Sequence, residues 1–251
     1  MDFEIDHIFI LTDIGAGAAE QLISLGFVEG SSNVHPGQGT ANRRFFFNNV
    51  GLELLWADNE ADATSAPIRQ THLWERWKNR KASACPFGVC LRPTVLNKGV
   101  PNKGVPNSNT VSSSSSMPPF SPLSPSFSPP FSYWHFQPPY LPKTLSIAVA
   151  TNSENIAEPM LFQTPFAKRP DQFSGKKRQP LEHPIGVTDI TQVTLTLPSV
   201  SAISPELAAL APVESLQLRS GPAHCMTITF DHHRQRQQHD CRPDLPLILK
   251  W

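Results

Sequence analysis

Two ionisable residues of this chain stand on strand faces that are otherwise apolar. Along Phe3-Glu4-Ile5-Asp6-His7-Ile8-Phe9-Ile10-Leu11, alternation of side chains puts His7 on the side of Ile5, Phe9 and Leu11. Along Gly51-Leu52-Glu53-Leu54-Leu55-Trp56 it puts Glu53 on the side of Gly51 and Leu55. Burying either group without a partner is costly, so an imidazole and a carboxylate on two such strands ask for one explanation. Three chemistries would supply it: a metal site, an acid/base pair, or a satisfied buried hydrogen bond. A metal requires neutral His and ionised Glu; an acid/base pair requires a pKa tuned toward neutrality by burial. The letters leave all three open.

Further polar groups cluster in a loop, Ser31 to Asn42, that contains His35, Gln38, Thr40 and Asn42 with glycines at 37 and 39. It could form a lid or turn backbone N–H groups toward an oxygen-rich ligand, or simply be a tight connection. It lacks the Gly-Lys-Ser/Thr ending of a phosphate loop. Gln192, Thr194 and Thr196 share one face of a later strand and would give a cleft a polar floor, or an exposed sheet its outer face. Trp134, His135 and Tyr140 could close a cleft mouth or plug the core. His232, His233, His239, Asp240 and Cys241 invite a second metal site but follow no recognised ligand spacing, which favours a solvated loop. Serine nucleophile elbows and dinucleotide-binding glycine fingerprints are absent.

These groups must be held by elements, and the elements repeat. The first strand leads through a helix from about Gly17 to Leu25 to a strand beginning at Phe27 and Val28, then to a hairpin, Arg43–Phe47 and Gly51–Ala57, across Asn48-Asn49-Val50. A helix over Gln70 to Arg80 and a strand over Pro86 to Leu91 follow. Short strands are expected over Ser146–Ala150 and Pro159–Phe162, and an exposed connection over Lys168–Gln179. The closing segment offers a strand over Thr191–Leu197, a helix capped by Ser204, and strands over Val213–Leu218, Cys225–Phe230 and Leu245–Trp251. Strand, helix, strand, strand, strand thus occurs at both ends, and such a repeat indicates architecture better than any single motif.

With 251 residues the chain can bury a sizeable core, but 26 prolines together with low hydrophobic (39%) and charged (17%) content mean that part of it is not core. That part is Asn97 to about Ser132, a Ser/Pro-rich tract read as a disordered insertion whose Phe120, Phe127 and Phe131 could contact a partner. Zero formal net charge argues against nucleic acid or an acidic membrane as partner, and no apolar run is long enough to span a bilayer. Four cysteines without Cys-x-x-Cys spacing and an acidic N-terminus unlike a signal peptide point to reduced thiols in the cytoplasm.

Together these features resemble the vicinal oxygen chelate superfamily, and within it the glyoxalase-like domain proteins. The resemblance rests on Ile5 to Ile10, His35 to Asn42, Gly51 to Leu55, Pro138 to Pro142, Glu158 to Phe162 and the closing repeat. It implies an α+β fold of two pseudo-symmetric βαβββ modules forming a cupped mixed sheet around a cleft. The expected divisions are a first module with extension (1–93), the Ser/Pro insertion (94–132), a connecting segment (133–185) and a second module (186–251). It also implies one divalent metal ion (Zn, Fe, Mn, Ni or Mg) at positions that here hold His7, Glu53, Gln192 and Ile248. Isoleucine ligates nothing, which leaves three ligands and water. The implied function is a lyase, isomerase or dioxygenase type of activity on a small oxygenated metabolite, with His7 and Glu53 catalytic and His35, Gln38, Thr40, Asn42, Gln192 and Thr194 binding ligand. Metal-free binding of a small molecule by the same fold is the competing expectation, and a homodimer fits either.

Overall fold

The computed structural model describes residues 3–94, 128–165, 167–198 and 202–251. It is an α+β protein with few helices and two mixed sheets. The first sheet has eight strands: β1 (Phe3–Leu11), β2 (Asn33–His35), β3 (Thr40–Phe46), β4 (Gly51–Ala57), β5 (Phe87–Pro93), β6 (Tyr133–Phe136), β7 (Ile147–Ala150) and β8 (Met160–Gln163). Their spatial order, β2-β3-β4-β1-β5-β8-β7-β6, is one four-strand pattern met twice. β1 pairs in parallel with β4 and β5 with β8, while β1 and β5 run antiparallel at the centre. This is the cupped mixed sheet.

The second unit of the cup is therefore built from β5 to β8 and not from 186–251. The C-terminal strands, β9 (Ile190–Leu197), β10 (Leu216–Ser220), β11 (Cys225–Phe230), β12 (Gln238–Asp240) and β13 (Leu247–Lys250), form a separate five-stranded sheet in the order β10-β9-β11-β13-β12. Here the strand that follows the helix pairs in parallel with β9 itself, a different plan from the first unit. Alternation is the same in both plans, so the letters could not tell them apart.

Alternation does explain how the sheets pack. Ile8, Ile10, Leu52, Leu54, Val89, Leu91 and Leu161 point from the eight-stranded sheet into one core shared with Val193, Leu195, Ile228 and Leu249 of the other. The opposite face carries a second cluster, with Phe9, Leu55, Phe136, Ile147, Met160 and Phe162. Strands buried on both faces read as near-continuous apolar runs, as β1 does. The hairpin tip ties the sheets together: the Asn49 amide donates to the Ile190 carbonyl (2.8 Å) and accepts from its N–H (2.9 Å).

Helices are short. α1 (Ala19–Ser24) buries Ala19 and Leu22 and stops at Gly26, whose φ of +98° only glycine adopts easily. The strand expected at Phe27 is instead β2, six residues later and polar, and Phe27 itself packs in the core. α2 (Glu60–Ala63) was not anticipated. The expected helix over 70–80 is broken by His72 at φ 53°, which leaves α3 (Leu73–Asn79). α4 (Pro205–Ala208) has the foreseen Ser204 cap. The Ser/Pro tract lies outside the described residues except 128–132, where Phe131 is buried in the shared core and offers no partner surface.

Candidate functional site

The concave face of the cup encloses a cavity of about 490 Å³ lined by His7, Glu53, His35 and Gln38 among others. Register brings the first two together. His7 lies opposite Gly51 on the parallel neighbour, and Glu53 is two residues farther along the same face. Across the next ladder Arg44 lies opposite Glu53, so it faces the same space.

His7 is held by a neighbour that alternation would send to the other face. The ladder between β1 and β5 shifts register between Ile5 and His7, and in that irregularity Asp6 Oδ2 reaches His7 Nδ1 at 2.7 Å. Asp6 Oδ1 accepts from Arg92 (3.0 Å), whose guanidinium also donates to Glu4 and to the Asn49 carbonyl. Burial works against charge on both members of the pair. For Asp6, His7 and Arg92 outweigh burial and hold the carboxyl below its usual range. For His7, the Cys90 sulfur, the Asp6 carboxylate and Glu53 outweigh it and lift the imidazole well above its ordinary value. Burial pushes the Cys90 thiol itself up, with His7 opposing.

Around Glu53 a second network closes. Asn42 Nδ2 donates to Glu53 (2.9 Å), and Asn42 Oδ1 accepts from the Asn33 N–H. The Asn33 amide meets His35 Nε2 at 3.1 Å and His35 Nδ1 meets Thr40 Oγ1 at 2.9 Å, which together assign neutral His35 with its proton on Nδ1. Burial lowers the His35 pKa in agreement, with Arg44 and His7 adding to it and Glu53 opposing. Gln38 donates to the same Thr40 hydroxyl, while its buried Oε1 has no partner among the described residues. Gly37 and Gly39, at φ +75° and +71°, let this loop pass under Pro139 and against the Asn59 carbonyl, where a Cβ would collide. The Tyr140 ring lies tilted 5.1 Å from that of His35 and lines the cavity; His135 is exposed and bonds Ser146 instead.

Gln192 and Thr194 do not join this group. β9 turns Val193, Leu195 and Leu197 into the shared core, so Gln192, Thr194 and Thr196 lie on the far face of the other sheet, outside the cavity. Ile248 is on β13 of that sheet as well. The implied ligand set thus reduces to His7 and Glu53. Among the described residues Asp6, His7 and Cys90 place ligand atoms within 4.8 Å of one another. Their chemistry is poor for a cation: Asp6 is engaged on both oxygens, and the Arg92 guanidinium adjoins it. The residues present do not fit the divalent ion that the resemblance implies. In the 231–244 segment Asp240 pairs with Arg242, His239 meets Gln21, and Cys241 is core.

Asp6, Cys90, Arg92 and Arg44 are the site residues that sequence reasoning missed. Only the adjacency of Asp6 to His7 was visible beforehand, and it becomes informative only with the register shift. No protein-family profile matches the chain, and no curated protein matches it. Among solved structures it is similar to a hypothetical protein from Staphylococcus aureus, 12% identical with a TM-score of 0.45, over 100% of this chain and 98% of that one. Among the described residues no helix is long and apolar enough to cross a membrane.

Proposed function

We propose that this is a glyoxalase-like protein whose cup binds a small oxygenated metabolite and moves a proton on it without a metal. The observation that carries the reading is that His7, clamped by Asp6, and the Glu53 carboxylate stand on one face of two adjacent strands, inside a cavity. The carboxylate takes a proton from carbon next to a carbonyl while His7 gives one to the carbonyl oxygen, forming the enol; the reverse transfers restore the ketone with that carbon's hydrogen exchanged for one from solvent. Asn42 fixes the base and Asp6 fixes the acid. The apolar wall of Phe136, Ile147, Met160 and Phe162 takes the rest of the molecule and excludes water. Four buried free cysteines agree with a reducing compartment, so the cytoplasm belongs to the same proposal.

Solvent deuterium exchange tests it. With 4-phenyl-2-oxobutanoate in D2O, the protein should speed exchange at the carbon beside the ketone, and Glu53→Gln should remove the acceleration while binding persists. Exchange no faster than in buffer, with binding intact, would leave the second reading: a protein that only sequesters its ligand. The pre-existing clamps on both ionisable groups favour that alternative, because each group is already partnered. Metal analysis of the purified protein should find less than one equivalent.

A further inference from the structure

The cavity is lined by more positive than negative charge. Its two carboxylates are Asp6 and Glu53; its cations are Arg44, Lys168, Lys176 and Lys177. Asp6 is already matched by Arg92 and His7, and Glu53 accepts from Asn42. The nearby Asp171 carboxylate is taken by Arg169 at 2.9 Å. The three lysines are exposed, on the connection after β8. Arg44 sits deeper: it donates to the Ser31 carbonyl and hydroxyl and lies 5.1 Å over the Phe46 ring, and its remaining terminal nitrogen has no partner among the described residues. Elsewhere in the lining, the buried Gln38 Oε1 lacks a donor among the described residues.

The opposite wall is apolar, with Phe136, Ile147, Met160 and Phe162. An occupant that satisfies both walls needs a hydrophobic body and an anionic end. We infer that the ligand is an amphipathic anion, its carboxylate, sulfonate or phosphate group held at the mouth by Arg44, Lys168, Lys176 and Lys177, its body on the Met160–Phe162 wall. This rests on the reading of the cup as a small-ligand site and names the class of ligand. Guanidinium supplies a directed contact there, while the ammonium groups supply a diffuse field that speeds capture and weakens with salt.

Two dyes with one aromatic body separate the charge from the hydrophobic part: anionic 8-anilinonaphthalene-1-sulfonate and uncharged N-phenyl-1-naphthylamine, titrated by fluorescence into the full chain. The anionic dye should bind more tightly at low salt, and the combined variant K168Q/K176Q/K177Q should weaken it about tenfold, as expected for three exposed charge contacts. The uncharged dye should be indifferent to the lysine variant and to salt. Met160→Trp, which fills the cavity, should release both. Equal affinity for the dyes, an unchanged preference in the lysine variant, or a preference that survives Met160→Trp would each overturn the inference. If the preference holds but no proton exchange is seen, the ligand class stands and the catalytic reading falls; if neither dye binds, both fall.

Discussion

The two halves of the cup share a strand order and differ in almost everything that faces the cavity. On the β1-β4-β3 side the concave face bears His7, Glu53, Asn42 and Arg44, held by hydrogen bonds to Asp6, Asn33 and Ser31. On the β8-β7-β6 side it bears Met160, Phe162, Ile147 and Phe136, held by packing. Equivalent backbones have therefore been given opposite duties, one half orienting charge and the other taking up apolar bulk. A fold with this symmetry supplies a cavity; the asymmetry of the side chains decides which way round a ligand can lie.

The halves should fail differently when disturbed. The largest effect is expected in the polar half from Arg92→Met, since Arg92 is 4% exposed and its loss leaves the Asp6 carboxylate buried with one partner fewer. Urea unfolding should show a loss of about 4 kcal/mol, and adding Asp6→Asn should recover part of it, because the stranded charge is then gone. In the apolar half Phe162→Ala should cost about 3 kcal/mol through a cavity against Phe9 and the His7 ring, with no rescue by any charge change. If Asp6→Asn fails to rescue Arg92→Met, the polar half is held by packing too, and the contrast dissolves. Next in size, Glu53→Gln should slow deuterium exchange at least about a hundredfold while Ile147→Ala weakens ligand binding and leaves the exchange step near its wild-type rate.

Much of the scaffold could be read from alternation and caps. β1, the β3–β4 hairpin, β5, β7, β8, β9 and β11 lie close to where apolar periodicity puts them, and His7 and Glu53 do look into one hollow. Two things were hidden for physical reasons. Strand order is a long-range property: residues 95–127 separate β5 from β6, so the second half of the cup is split in the letters, while the contiguous 186–251 segment offers a more convincing copy that folds otherwise. The Asp6–His7 contact depends on a register shift, which one strand read alone does not disclose. β2 and β12 were hidden because three-residue polar edge strands, Asn-Val-His and Gln-His-Asp, carry no apolar pattern.

The smallest expected effect is also the most selective for the polar half, because it reads proton linkage and leaves packing aside. His7 has its pKa raised above 6.5 in the folded state, so its contribution to stability is complete below that value and is lost as pH rises through the folded pKa. Asp6 is lowered from 3.8, so its contribution is present above that value and is lost as pH falls through the folded pKa. The clamp is thus strongest between about 3.8 and 6.5. His35 acts in the opposite sense: its pKa is lowered, the unfolded chain takes up that proton first, and stability falls as pH drops below 6.5. Wild-type protein should therefore lose about 1 kcal/mol relative to His7→Gln as pH climbs from neutral to mildly alkaline. His35→Gln should flatten the acid side instead. Ile147→Ala, in the apolar half, should follow the wild-type profile at a uniformly lower stability. Urea midpoints across a pH series measure all three, and a His7→Gln profile parallel to wild type on the alkaline side would mean that Asp6 does not hold an imidazolium, which removes the acid from the proposed pair.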